Sequence, residues 1–114
     1  MTIGPDDARS FYGVMLRLQR ARKRNGAFDW SLSRDIADVE LWTERYHCPT
    51  WNDYLRMRSR FTLSDRELQD EVNRYNRSSG PARIRRRLER PFGSVRWKED
   101  ARDPGTATIP LLPP

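Results

Sequence analysis

The stretch RARKRNGAFDWSLSRD, Arg20 to Asp35, decides how the chain is read. Its first half carries four basic residues ahead of Asn25-Gly26, and an aromatic alternation begins straight after. Two interpretations compete. One is a nucleic-acid grip, with arginines for phosphate and aromatics for bases. The other is the end of a helix, a turn and a strand. Periodicity favours the second. Upstream, Phe11, Val14, Met15, Leu18 and Ala21 recur at the spacing of one helical face, with Arg9, Arg17, Arg20, Lys23 and Arg24 opposite. Downstream, from Ala27 to Arg34, the period drops to two, with Phe28, Trp30 and Leu32 expected on the inward face.

The helix is predicted over Asp6–Arg24. Pro5 suits its first turn, where a missing N–H costs nothing. Asp6 and Asp7 complement the positive end of the helix dipole, and Arg22, Lys23 and Arg24 the negative end. Gly26 is the stop signal. Tyr12 and Leu16 fall toward the basic side, where they can meet a second surface.

A second strand is predicted over Glu40–Cys48, paired with the first as a hairpin through a four-residue connection, Asp35–Asp38. Leu41, Thr43, Arg45 and His47 share one face, and Trp42, Glu44, Tyr46 and Cys48 the other. Both faces are mixed in polarity, so one is expected against a partner surface. Pro49 ends the strand. Thr50 is an N-cap with Asp53 at the capping offset, and the helix Trp51–Arg58 presents Trp51, Tyr54 and Leu55 together. A further helix starts at Thr62 or Ser64, answered by Asp65 or Glu67, with Leu68, Val72 and Tyr75 as its apolar stripe. Ser78–Pro81 is a break. Arg83–Arg90 alternates as a last short strand. After Pro91 the periodicity dissolves, and residues 92–114 are expected to form a flexible Pro-rich tail, most clearly from Asp100 onward.

At 114 residues the chain holds one domain with a small core. Charged residues make up 33%, nearly matching the 36% hydrophobic, which predicts a marginal monomer with a buried oligomer face. The net charge of +6 favours an acidic partner, either nucleic acid or an anionic membrane surface. One cysteine, Cys48, excludes an internal disulfide and a cysteine-cluster metal site. No apolar run is long enough to span a bilayer and no apolar signal region opens the chain, so this chain is expected to be soluble and cytoplasmic.

The element order is that of a ferredoxin-like β-α-β-β-α-β unit whose first strand is short or missing, with Met1–Ile3 its only candidate. Several features together then resemble a known family. They are the turn Arg20, Arg22, Arg24, Gly26, Ala27 with its aromatic strand, and the acidic connection around Asp35 and Asp38. Pro49–Trp51 with Tyr54, and the segment Thr62–Arg66, complete the set. Over residues 3–90 the chain resembles the C-terminal soluble domain of bacterial major facilitator exporters, the transmembrane secretion effector group. That domain is similar to the antibiotic biosynthesis monooxygenase-like dimeric α+β barrels. The resemblance implies a ferredoxin-like domain over residues 1–91, paired through its sheet as a homodimer. Membrane helices are not in this chain, so it resembles a fragment or a domain living alone.

The expected function is that of a non-catalytic accessory or regulatory domain in an exporter context, at the inner membrane face, with no cofactor and no metal. The alternative is a cofactor-independent small-molecule monooxygenase-like enzyme. His47 would then be its catalytic base and Trp30, Trp42 and Trp51 would line its pocket. Against this, no acid or second histidine accompanies His47, and tryptophans more often pack cores. Cys48 reads as a small buried hydrophobe, and Asp29, Asp35 and Asp38 are not at metal-ligand spacing with any histidine. Arg17, Arg20, Arg24, Arg83, Arg85 and Arg87 are candidates for contact with an anion or an anionic membrane surface. A nucleic-acid-binding basic domain, with Phe92 or Trp97 stacking on bases, is the weaker alternative.

Overall fold

A computed structural model of the chain describes residues 1–89. It is a small α+β domain with three α-helices and a two-stranded antiparallel sheet. A single 3-10 turn, Pro5–Asp7, leads into α1 (Ala8–Arg24). Strands β1 (Phe28–Arg34) and β2 (Trp42–His47) follow, then α2 (Trp51–Ser59) and α3 (Leu63–Tyr75).

Helix α1 buries the stripe its spacing predicts, and Phe11, Met15 and Leu18 are completely enclosed. Each such side chain stabilises the fold by about 1.5–3 kcal/mol. The cluster adds Ile3, Val14 and Val72, with Trp30, Leu32, Trp42, Leu68 and Tyr75 packed against it. Phe11 meets Trp42 and Tyr75 edge-on, at centroid distances of 5.7 and 6.0 Å. The helix ends at Gly26, whose φ of 106° lies in the left-handed region that a Cβ disfavours. There the N–H of Gly26 bonds to the Lys23 carbonyl at 3.1 Å, and that of Ala27 to the Arg22 carbonyl at 2.9 Å. This pair of bonds is the Schellman closure, and it turns the chain directly into β1.

The hairpin departs from strict alternation at one point. Phe28 pairs with His47 but Ser31 pairs with Arg45, so β1 holds one residue more than β2 across that step. Asp29, with φ of 48°, sits in this bulge. The extra residue breaks the phase. Trp30 and Leu32 reach the core as expected, whereas Phe28 is 46% exposed and lies beside the His47 ring. Phe28 is therefore not on the inward face. The connection is also longer than predicted, running from Asp35 to Leu41. The Asp35 carboxylate accepts the N–H groups of Ala37 and Asp38, and that of Asp38 accepts from Glu40. These bonds satisfy the loop backbone locally and delay entry into the ladder.

The edge of β2 away from β1 receives the start of the chain. Met1 and Trp42 exchange backbone bonds of 2.8 Å, Thr2 bridges Leu41, and Ile3 donates to the Glu40 carbonyl. Beyond α3, Arg77 donates to the Thr2 carbonyl at 2.7 Å, so the returning chain lies next to Met1–Ile3.

Both remaining helices start where their caps predict. Thr50 accepts from the Asp53 N–H, and Thr62 with Asp65 forms the complete capping box, selecting Thr62 over Ser64 as the start. A second cluster of Ala27, Tyr54 and Met57 seats α2, with Tyr46, Cys48, Trp51 and Leu55 against it.

The last predicted strand does not form within the described residues, where 82–89 take no regular structure. Alternation alone does not specify a pairing partner. Here the segment is held by side chains. Arg86 donates to the Tyr54 hydroxyl at 2.9 Å and Glu89 pairs with His47 at 2.9 Å. The tail predicted for residues 92–114, with Phe92 and Trp97, lies outside the described residues. None of the described helices is long and apolar enough to cross a membrane.

Candidate functional site

The most elaborate polar constellation lies where α1, the hairpin and α3 meet. Arg22 falls four residues after Leu18, on the buried stripe of α1, and is only 3% exposed. Its Nε and Nη2 donate to the two Glu44 carboxylate oxygens, each at 3.1 Å, in the bidentate geometry that suits a guanidinium. Nη2 also donates to Gln69 Oε1 at 3.1 Å, and the guanidinium lies 4.8 Å from the Tyr46 ring centroid. Glu44 further accepts from Trp30 Nε1 at 2.7 Å, and Gln69 passes a bond on to Asn73. Arg22 is thus not a solvated cation at a helix end. It is a buried cross-link between α1, β2 and α3.

A second hub is Asp65, also buried. Its carboxylate accepts from the Thr62 N–H and from Asn25 Nδ2, each at 3.1 Å, and pairs with Arg24. Burial opposes its ionisation, but the hydrogen bonds from Thr62, Asn25 and Arg24 prevail and hold the carboxyl below its ordinary value. At Arg22, burial works against the charge, yet Glu44 above all holds the guanidinium pKa above its usual position. Burial pushes the Tyr46 phenol up to about 12, against the opposing pull of Arg22.

These groups suit cohesion better than turnover. Each carboxylate already accepts several donors, and the phenol stays protonated at neutral pH. Burial, with help from Asp53, also raises the Cys48 thiol, so little of it is the nucleophilic thiolate. Its Sγ lies 3.9 Å from Met57 Sδ, in the second apolar cluster.

The structure separates the residues singled out in the sequence. His47 has its ring 5.6 Å from that of Phe28 and its Nε2 2.9 Å from Glu89, so an acid does accompany it, contrary to the expectation from sequence, because folding returns the segment after α3 to the end of β2. Trp30 and Trp42 pack on the first cluster, while Trp51 stacks on Tyr54 at 5.3 Å in the second. The three tryptophans do not share one lining. Arg17 pairs with Glu71 at 2.5 Å and Arg24 pairs with Asp65, whereas Arg20, Arg83, Arg85 and Arg87 are exposed. Among the described residues no three histidine, cysteine or acidic side chains are grouped as metal ligands.

Glu44, Gln69, Asn25 and Asp65 were not singled out as a network. A signal existed: Arg22 interrupts an apolar helical stripe, and Glu44 lies between Trp42 and Tyr46 on one strand face. A charge at a core position calls for a buried counter-charge.

In class, then, this is a small α+β domain whose helices and hairpin are tied by a buried ion-pair network. The sequence matches the family of transmembrane secretion effectors over residues 1–92, and the chain belongs to that family, which relates it to the major facilitator exporters. No curated protein and no solved structure matches it.

Proposed function

We propose that the chain is a non-catalytic accessory domain of an exporter of its family, facing the cytoplasm and paired with a second copy of itself. The observation that carries this is membership of a transport family across residues 1–92. The side-chain chemistry supports it. Cys48 and Tyr46 are held toward their protonated forms, and the tryptophans pack two separate clusters rather than one pocket. A ferredoxin-like arrangement over residues 1–91 belongs to the same proposal. Its support is the order in which backbone meets backbone: the segment at Arg77, then Met1–Ile3, then β2, then β1. The first two are short stubs standing where the last and the first strand of such a unit would run, the last at the edge and the first beside β2.

The test is to sequence the DNA around the coding region and to assay the protein. In-frame or directly adjacent apolar spans of transmembrane length are expected; a region without any would remove the exporter assignment. In parallel, oxygen uptake is measured with a panel of phenolic substrates. No turnover is expected. Turnover that His47→Ala abolishes would replace the accessory role with the monooxygenase alternative.

A further inference from the structure

The arginines are not equivalent. On α1, Arg17 and Arg24 are neutralised by Glu71 and Asp65, and Arg22 is buried against Glu44. In residues 82–89, Arg83, Arg85 and Arg87 are exposed, and none of the three is ion-paired within the described residues. Two aliphatic side chains lie among them with more than a third of their surface open, Ile84 at 38% and Leu88 at 37%. Arg86 and Glu89 are engaged instead, with Tyr54 and His47. The result is a segment, tied down by two side chains, that presents guanidinium groups unpaired among the described residues together with aliphatic carbon.

The geometry points to this strip, Arg83 to Leu88, as a docking surface for an anionic lipid bilayer. Two physical requirements are met. Guanidinium groups close to an anionic leaflet gain about 1 kcal/mol each. Aliphatic side chains between them can enter the headgroup layer while the arginine stems extend their charges to the phosphates. Single-stranded nucleic acid fits less well, because bases stack on aromatic rings set among the cations and this strip presents none. Anchoring lowers the ordering cost of docking, since the Arg86 side chain already ties the segment to Tyr54. The choice of a bilayer rests on the exporter-domain reading, but the binding test is independent of it. An exporter gene context without vesicle binding removes only the docking surface. Vesicle binding without such a context removes only the exporter role.

The experiment is vesicle co-sedimentation of the full chain, with phosphatidylglycerol–phosphatidylcholine vesicles against pure phosphatidylcholine. Binding is expected to the first only, and to weaken steeply as salt rises. The triple variant Arg83→Gln/Arg85→Gln/Arg87→Gln should partition on the order of 100-fold more weakly, as about 1 kcal/mol per residue implies. The variant Arg9→Gln/Arg20→Gln/Lys23→Gln removes the same charge from α1 and should lose only a few-fold. Neither set is in the core, so circular dichroism should match the parent for both. Equal losses in the two triples would reduce the effect to net charge and overturn the proposal. So would a parent that ignores anionic vesicles, or one that inorganic phosphate displaces at an ionic strength where chloride does not.

Discussion

Asp65 shows how one side chain can do three structural jobs. It closes the capping box of α3, holds Asn25 at the exit of α1 and pairs with Arg24. Removing it leaves several donors without an acceptor, so Asp65→Ala should cost about 2 kcal/mol at neutral pH, measured by urea denaturation. The pH dependence follows from the depressed carboxyl. A group whose pKa is lower folded than unfolded contributes stability that is fully present above its unfolded value, 3.8 here, and is lost as pH falls through the folded value. The stability gap between parent and Asp65→Ala should therefore be constant from neutral pH down to about 5 and shrink in more acidic buffer. A gap that persists unchanged in strong acid would show that the ionised carboxylate is not what matters. The Thr62–Asp65 spacing was legible in the sequence as one of two possible caps; Asn25 and Arg24 were not, because they come from 40 and 41 residues away.

Among the elements, the hairpin is where period-two reasoning holds for one half of a strand and fails for the other. Trp30 and Leu32 point inward and Phe28 does not, because the bulge at Asp29 adds a residue to β1 alone. Aspartate is tolerated at positive φ better than most residues, and a β-branched side chain is not. Asp29→Val should destabilise the protein by roughly 1–2 kcal/mol, whereas Asp29→Asn should leave it nearly unchanged. Thermal unfolding followed by circular dichroism distinguishes them, and equal melting temperatures would mean that the bulge can shift to another residue. The helices were far more legible. The α1 stripe, its Gly26 stop and both N-caps are local features, written within a few residues of the positions they control. The strand expected at Arg83–Arg90 lacked any such local control, since a strand exists only through its pairing partner.

For the molecule as a whole, the Arg22–Glu44 pair, with Gln69, ties together α1, β2 and α3 from inside the core. Burying two charges is costly, and the pair is tolerated because each group is also hydrogen-bonded, Arg22 to Gln69 and Glu44 to Trp30. Arg22→Met leaves the largely covered Glu44 without its counter-charge and should cost about 3 kcal/mol. Arg22→Met/Glu44→Leu removes both charges and should be more stable than Arg22→Met alone, with a clear coupling energy in the double-mutant cycle. Strictly additive losses would deny the pair its role as a cross-link. The same scale governs the candidate site. The sequence offered His47, three tryptophans and six arginines as parallel candidates, and only packing sorted them into ion-paired, half-buried and exposed.

By itself, then, the sequence determined what depends on neighbours along the chain: the helical stripe of α1, its stop at Asn25-Gly26, the caps at Thr50 and Thr62, and the presence of a hairpin. These are short-range events, set by side-chain periodicity and by backbone groups a turn away. Tertiary structure alone decided that Arg22 is buried, that Arg17 and Arg24 are neutralised, and that Arg83, Arg85 and Arg87 are open. The charge on an arginine is the same in each case. What differs is the distance to a carboxylate brought close by folding, which no local pattern encodes.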